Sequence, residues 1–172
     1  MEKSCVQVYT GNGKGKTTAA MGLAIRAAGQ GLNVKIVQFL KGRDTGELHI
    51  ISRIDNIELL RASDSKAFFY MLSDEEKAAM RVRVCDVLKI VDTWLDKADL
   101  LIMDEAMAAL SCGILTLPEL LHIIDRRGRT EVVLTGRDAP EEIISRADLV
   151  TEMCEVKHYM DNGVAARKGI EY

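Results

Sequence analysis

Two prolines and thirteen glycines are few for 172 residues, so the chain lacks the make-up of a disordered or linker-rich polypeptide. No apolar run approaches the roughly 20 residues that a bilayer-crossing helix needs. Met1-Glu-Lys-Ser4 leads toward a strand without the apolar core of a signal peptide. A cytoplasmic location without membrane contact is therefore expected. Cys5, Cys85, Cys112 and Cys154 make no C-x-x-C pair, which removes zinc and redox spacings and leaves them as small core residues. A formal net charge of −3 offers no general attraction to nucleic acid or anionic lipid. Neither an internal repeat nor a linker interrupts the chain.

What is present suits a folded protein: 48% hydrophobic and 28% charged residues, in a length that can bury one core. A single domain over residues 1–172 is expected. Cys5 to Tyr9 reads as a strand that ends in a glycine-rich loop, and Thr17 to Ala28 is a small-residue stretch that favours helix. Asn33 to Leu40 reads as a second strand, apolar on both faces, and Asn56 to Leu60 as a weaker one. Ser63 to Leu72 has no clear period and reads as a loop. Ser73-Asp-Glu-Glu76 has capping-box spacing, and apolar residues from Met80 to Leu95 recur at helical intervals, predicting a long helix to about Lys97. Trp94 within it reads as packing, and the scattered methionines as core filler.

Leu100 to Met103 is a buried-strand run followed by Asp104-Glu105, and Thr116-Leu-Pro-Glu119 opens a helix that ends near Gly128. Glu131 to Thr135 is a further strand, Asp138-Ala-Pro-Glu141 caps the next helix, and Leu149 to Met153 is a last strand. This alternation predicts an α/β fold with a mostly parallel central sheet and helices on both faces. Ligands of such sheets sit at the carboxyl ends of the strands. The polar candidates fall there: after Tyr9, around Phe39 to Lys41, at Asp104-Glu105 and at Gly136-Arg137.

Thr10-Gly-Asn-Gly-Lys-Gly-Lys-Thr-Thr18 fits the phosphate-binding P-loop pattern G-x-x-x-x-G-K-[ST], with Thr10 in place of the first glycine. Gly11, Gly13 and Gly15 let the backbone curl so that N–H groups point inward, and the next helix adds its positive end. With Asn12 and Lys14 these residues form the loop, Lys16 would neutralise phosphate charge, and Thr18 follows. The Thr17 hydroxyl can reach Mg²⁺ bridging two phosphates, with Asp104 and Glu105 as the facing carboxylates. Either feature alone is also compatible with an ordinary turn or a helix cap. Their conjunction points to a P-loop NTPase-like fold that binds ATP.

Several blocks beyond the loop are similar to those of the P-loop ATP:corrinoid adenosyltransferases, also called cob(I)yrinic acid a,c-diamide or cob(I)alamin adenosyltransferases. They are Val37-Gln-Phe-Leu-Lys-Gly42, Leu101-Ile-Met-Asp-Glu105, Ala109-Leu110 and Gly113-Ile-Leu115. Leu134-Thr-Gly-Arg-Asp-Ala-Pro-Glu-Glu142, Ala147 to Met153, Val156-Lys-His158 and Gly169-Ile-Glu-Tyr172 follow in the same order. The resemblance implies attack of a Co(I) corrinoid on the 5′ carbon of ATP, with triphosphate released and ATP reversed in the loop. It implies Lys16, Thr17 and Glu105 as catalytic groups, Thr17, Glu105 and neighbouring Asp104 as Mg²⁺ ligands, and Gln38, Lys41 and Arg137 near nucleotide or phosphate. A reductase as electron donor and a homodimer are further implications.

Where the family carries a Gly-Glu-Gly-Phe-Thr-Trp-like segment, this chain has Ser63-Asp-Ser-Lys-Ala-Phe-Phe-Tyr-Met71. Phe68, Phe69 or Tyr70 would then form the apolar wall against the corrinoid. His158 beside Lys157 reads on general grounds as a surface pair, and the family block alone puts it at the corrinoid. Ala106-Met107 replaces more polar residues, and the family's N-terminal segment before the first strand is not seen here. Two other readings share the phosphate loop: a P-loop phosphohydrolase or kinase, and a paralogue that binds ATP or corrinoid without joining them.

Overall fold

A computed structural model describes residues 3–65, 67–95 and 97–172. Met1 and Glu2 of the expected domain, Lys66 of the expected loop and Asp96 near the expected helix end lie outside the described residues. Six strands carry the fold: β1 (Val6–Thr10), β2 (Val34–Gln38), β3 (Ile57–Arg61), β4 (Leu100–Asp104), β5 (Glu131–Thr135) and β6 (Leu149–Glu152). The helices are α1 (Lys16–Gly29), α2 (Gly46–Ile51), α3 (Asp74–Trp94), α4 (Ala106–Ser111), α5 (Leu117–Arg126) and α6 (Glu141–Ile144). The strands form one sheet in the order β3-β2-β4-β5-β1-β6, and every pairing is parallel.

Both faces of this sheet are covered, and the two-residue period of a strand divides its side chains between them. Leu100 and Ile102 of β4 join Val34, Ile36 and Val133 in a layer closed by Ala20, Met21, Ala24, Ala27 and Ala28 of α1. Leu101 and Met103, one residue out of step, join Val6, Val8, Val132 and Leu134 in a layer closed by α3, α4 and α5. The small side chains of α1 let its backbone lie close to the sheet, and its first turn is thereby held at the end of β1. Trp94 is buried in the second layer, as its place in the helix predicts, with the Lys35 ammonium 5.5 Å from its ring centre.

Local signals decide most boundaries. Ser73 and Thr116 each accept from the main-chain N–H three residues on, and Glu76 and Glu119 return the bond, so both expected capping boxes form. The expected cap at Asp138 does not: Asp138 has φ 54°, and α6 begins after Pro140 with no side-chain cap. Two six-residue helices, α2 and α4, were not expected, and a single 3-10 turn, Phe69–Met71, lies in the expected loop. None of the cysteines is fully buried: three are half-buried and Cys154 is exposed. No described helix is long and apolar enough to cross a membrane.

Parallel register brings the candidate residues to one edge. Gln38 lies opposite Asp104 and Tyr9 opposite Thr135, so β1, β2, β4 and β5 end side by side. The loops after these strands share one rim of the sheet.

Candidate active site

The turn after β1 contains two residues that only glycine adopts freely, Gly11 at φ 92° and Gly15 at φ 123°. Thr10 needs no such freedom, because it is the last residue of β1 and its carbonyl accepts from Met153 N at 2.8 Å. That accounts for the missing first glycine of the pattern. Gly15 precedes α1 with no side-chain cap, leaving the amides of the first helical turn to a ligand. Lys16 folds back over the loop and donates to the carbonyls of Gly11 and Gly13. Burial pushes its ammonium below the usual lysine value, the Arg137 guanidinium adds to this, and Glu155 opposes it. Arg137 is itself exposed, and its charge is felt at Lys16.

Asp104 lies at the end of β4 with no exposed surface. Its Oδ1 accepts from Thr17 at 2.8 Å and Thr135 at 2.7 Å; its Oδ2 accepts from Gln38 Nε2 at 3.2 Å and pairs with Lys41 Nζ at 3.0 Å. A buried carboxylate requires such partners, since an unpaired one costs several kcal/mol, on the order of 3–5 when a partner is removed. Lys41 also faces Glu47 of α2 at 3.6 Å. Expected candidates from two separate segments, Thr17 from the loop side and Gln38 with Lys41 from the end of β2, thus meet on one side chain.

Glu105 follows in the left-handed region, φ 62°, ψ 25°, which a residue with a side chain rarely occupies. Its N–H donates to Thr135 Oγ1 at 2.9 Å, and that hydroxyl donates onward to Asp104, so Thr135 holds both acidic residues. Burial raises the Glu105 carboxyl above the usual glutamate range, Asp104 adds to this, and Lys41 opposes it. Ala106 and Met107 are buried core residues, and a Cβ on Gly136 would lie 2.6 Å from Met107 Cβ. The residues after the acidic pair are therefore packing for the Thr135-Gly136-Arg137 turn.

The donor chemistry suits a hard divalent cation: one hydroxyl, Thr17, and two carboxylates, Asp104 and Glu105. Among the described residues buried Gln38 Oε1 has no hydrogen-bond partner, while its Nε2 is the atom that meets Asp104. Among the described residues no group of three or more His, Cys, Asp or Glu surrounds a point, so the protein would contribute part of a coordination sphere. Mg²⁺ commonly takes the rest from phosphate and water.

The aromatic segment divides. Phe69 packs against the core beside Lys77, whereas Phe68 is 55% exposed, stacks on Tyr70 at 5.6 Å and lies under the Arg43 guanidinium. It is held near Lys41 by an unusually close approach: a Cβ on Gly42 would lie 1.7 Å from Ser65 O. His158 comes from beyond β6, at the other edge of the sheet from β3. Its Nδ1 accepts from Met160 N and its ring lies against Tyr159, both local contacts. Asn12 and Thr18 are exposed beside the loop.

Residues 2–172 match the model of the family described as ATP:corrinoid adenosyltransferase BtuR/CobO/CobP. The chain belongs to this family. Within the adenosyltransferase family, it is 36% identical to corrinoid adenosyltransferase CobA of Salmonella typhimurium, over 99% of this chain and 87% of that one. It is 35% identical to the corrinoid adenosyltransferase of Pseudomonas aeruginosa, over 99% and 85%. Among solved structures, the cytoplasmic domain of EssC superposes with a TM-score of 0.59 at 13% identity, over 97% of this chain. EssC ATPases 2 and 3 from Geobacillus thermodenitrificans give 0.53 at 12%, over 96%. This chain spans only 34% and 35% of those two, and the likeness shows the α/β fold alone.

Sequence reasoning about this family member passed over Thr135, whose signal is a hydroxyl at the carboxyl end of an otherwise apolar strand. It also passed over Met153, whose carbonyl accepts from Gly13 N at 2.6 Å. Lys14 turns away from the loop and is held by Tyr159 and Glu171, so its side chain is committed elsewhere.

Proposed function

We propose that the chain, acting as one domain over residues 1–172, transfers the 5′-deoxyadenosyl group of ATP to the Co(I) centre of a corrinoid and releases triphosphate. The family match over residues 2–172 carries this reading. The cobalt lone pair forms the cobalt–carbon bond while the C5′–O bond breaks and its electron pair leaves on the triphosphate oxygen. No proton moves, so no general base is required.

The protein's task is then to hold the polyanion and stabilise the charge that grows on it. Main-chain amides between Thr10 and Thr18 and the start of α1 line that position, and Lys16 exchanges its two carbonyl contacts for phosphate oxygens. Arg137, Gln38 and Lys41 meet nucleotide or phosphate from the adjoining strand ends. Thr17, Asp104 and Glu105 would hold Mg²⁺, which when bound supplies positive charge against the phosphate oxygens. Phe68 presents an apolar face toward the corrinoid while Phe69 anchors that segment in the core, and exclusion of water protects the reduced cobalt. A separate reductase supplies the electron, the setting is cytoplasmic, and a second copy of the chain pairs with this one.

Anaerobic incubation with Mg·ATP and chemically reduced cobalamin tests the reading, with phosphorus NMR of the products. Triphosphate appearing in step with the alkylcobalt spectrum is expected. ADP or orthophosphate as the main product would instead identify a phosphohydrolase or kinase.

A further inference from the structure

Beyond β6 the chain returns to the phosphate loop with little apolar burial to hold it: Val156, Met160 and Ile170 are 96%, 67% and 57% exposed. An exposed segment ordered without a core must be tied by polar contacts. These converge on one side chain of the loop. Lys14 Nζ donates to Tyr159 OH at 2.9 Å, to Glu171 Oε1 at 2.8 Å and to Ile170 O at 3.1 Å, which uses all three ammonium donors. Glu171 also accepts from the Tyr159 hydroxyl, from Arg167 N at 2.6 Å and from the Arg167 guanidinium. Its side chain is 17% exposed, although it lies on the surface of the molecule.

Lys14 is placed where such a hold has leverage. It stands between Gly13 and Gly15, and glycine leaves the backbone least restricted, so this stretch has no rigidity of its own. The same C-terminal segment grips the main chain next door. Gly13 N donates to Met153 O, and a Cβ on Gly11 or Gly13 would lie 2.6 or 2.7 Å from that carbonyl. Two independent contacts, one main-chain and one ionic, therefore set the curvature that aims the remaining amides.

We infer that Glu171 is a positioning residue for the phosphate loop, acting through Lys14: residues 159–171 form a strap that preorganises the loop for a triphosphate. The inference rests on the proposed ATP reading for its consequence but not for its mechanics. Ordering the loop before the ligand arrives removes an entropic cost of binding, so the strap lowers KM for ATP and leaves the chemical step alone.

Hydrogen exchange of the loop amides without nucleotide is compared in the wild type and Glu171→Gln, with Tyr159→Phe as a milder variant that loses one hydroxyl. Exchange about tenfold faster at Gly15 to Thr17, with an unchanged melting temperature, is expected in Glu171→Gln, since local opening is released without global unfolding. In turnover, KM for ATP should rise about tenfold with kcat within about twofold, and the Lys14→Met, Glu171→Gln double variant should be no worse than the poorer single one. Unchanged exchange, tighter ATP binding, or losses that multiply in the double variant would overturn the inference. A wild type that ignores ATP but shows the exchange difference would instead strike the proposed function.

Discussion

Thr17 and Asp104 are joined by a 2.8 Å hydrogen bond across 87 residues of chain. The contact links the first turn of α1 to the end of β4, and parallel pairing makes it possible: β1 and β4 both flank β5 and end at the same rim. A hydroxyl that follows a loop lysine and a fully buried carboxylate thereby become one site, with Gln38, Lys41 and Thr135 completing the carboxylate's partners.

Thr135→Val tests that clasp. The change preserves shape but removes the donor to Asp104 and the acceptor for Glu105 N. Stability should fall by about 1–3 kcal/mol, the cost of leaving buried polar groups unpaired, and activity should fall further because Glu105 loses the bond that holds its left-handed turn. Urea denaturation and steady-state kinetics measure the two effects.

Two glycine substitutions should have opposite signs. A Cβ on Gly13 would lie 2.7 Å from Met153 O and 2.8 Å from the Cys154 carbonyl, with backbone atoms that cannot swing aside. Gly13→Ala should therefore distort the loop and weaken ATP binding. Gly22→Ala in α1 meets nothing within 4 Å and should stabilise the fold by about 0.5–1 kcal/mol through helix propensity. Thermal melts and ATP titrations of the two variants separate these outcomes.

The strap has a defined pH response. Hydrogen bonds from Lys14, Tyr159 and Arg167 N hold the Glu171 carboxyl far below the usual glutamate range. Because the folded value is depressed, the contribution is present above the unfolded glutamate value and is lost as pH falls through the folded one. Trypsin cleavage after Arg167 and Lys168 should thus be constant near neutral pH in the wild type and faster in Glu171→Gln. Hydrogen exchange, which needs no protease, should show the wild-type tail loosening only in strong acid.

The parts of this molecule legible in the sequence are those whose cause is local. Gly11 to Thr17 can be read because turn, amides, ammonium and hydroxyl come from one short run, and Asp104-Glu105 because carboxylates after an apolar run stand out. Both capping boxes span four residues and both form. The six-residue helices α2 and α4 are too short to display a full amphipathic period. Asp138 looks like a cap by composition, but it takes a positive φ to turn the chain after Arg137. The tie between Lys14 and Glu171 spans 157 residues and uses ordinary surface side chains, so no pattern announces it. The division between Phe68 and Phe69 likewise depends on which neighbour meets the core, a matter of tertiary packing.

Calorimetry of Mg·ATP binding to the wild type and to Lys16→Ala bears most directly on the claim that this loop grips a triphosphate. The wild type should bind, and Lys16→Ala should bind about 10- to 100-fold more weakly with an unchanged melting curve, as expected for the loss of charge-assisted hydrogen bonds. A wild type that does not bind Mg·ATP, or a Lys16→Ala variant that binds it equally well, would contradict the account.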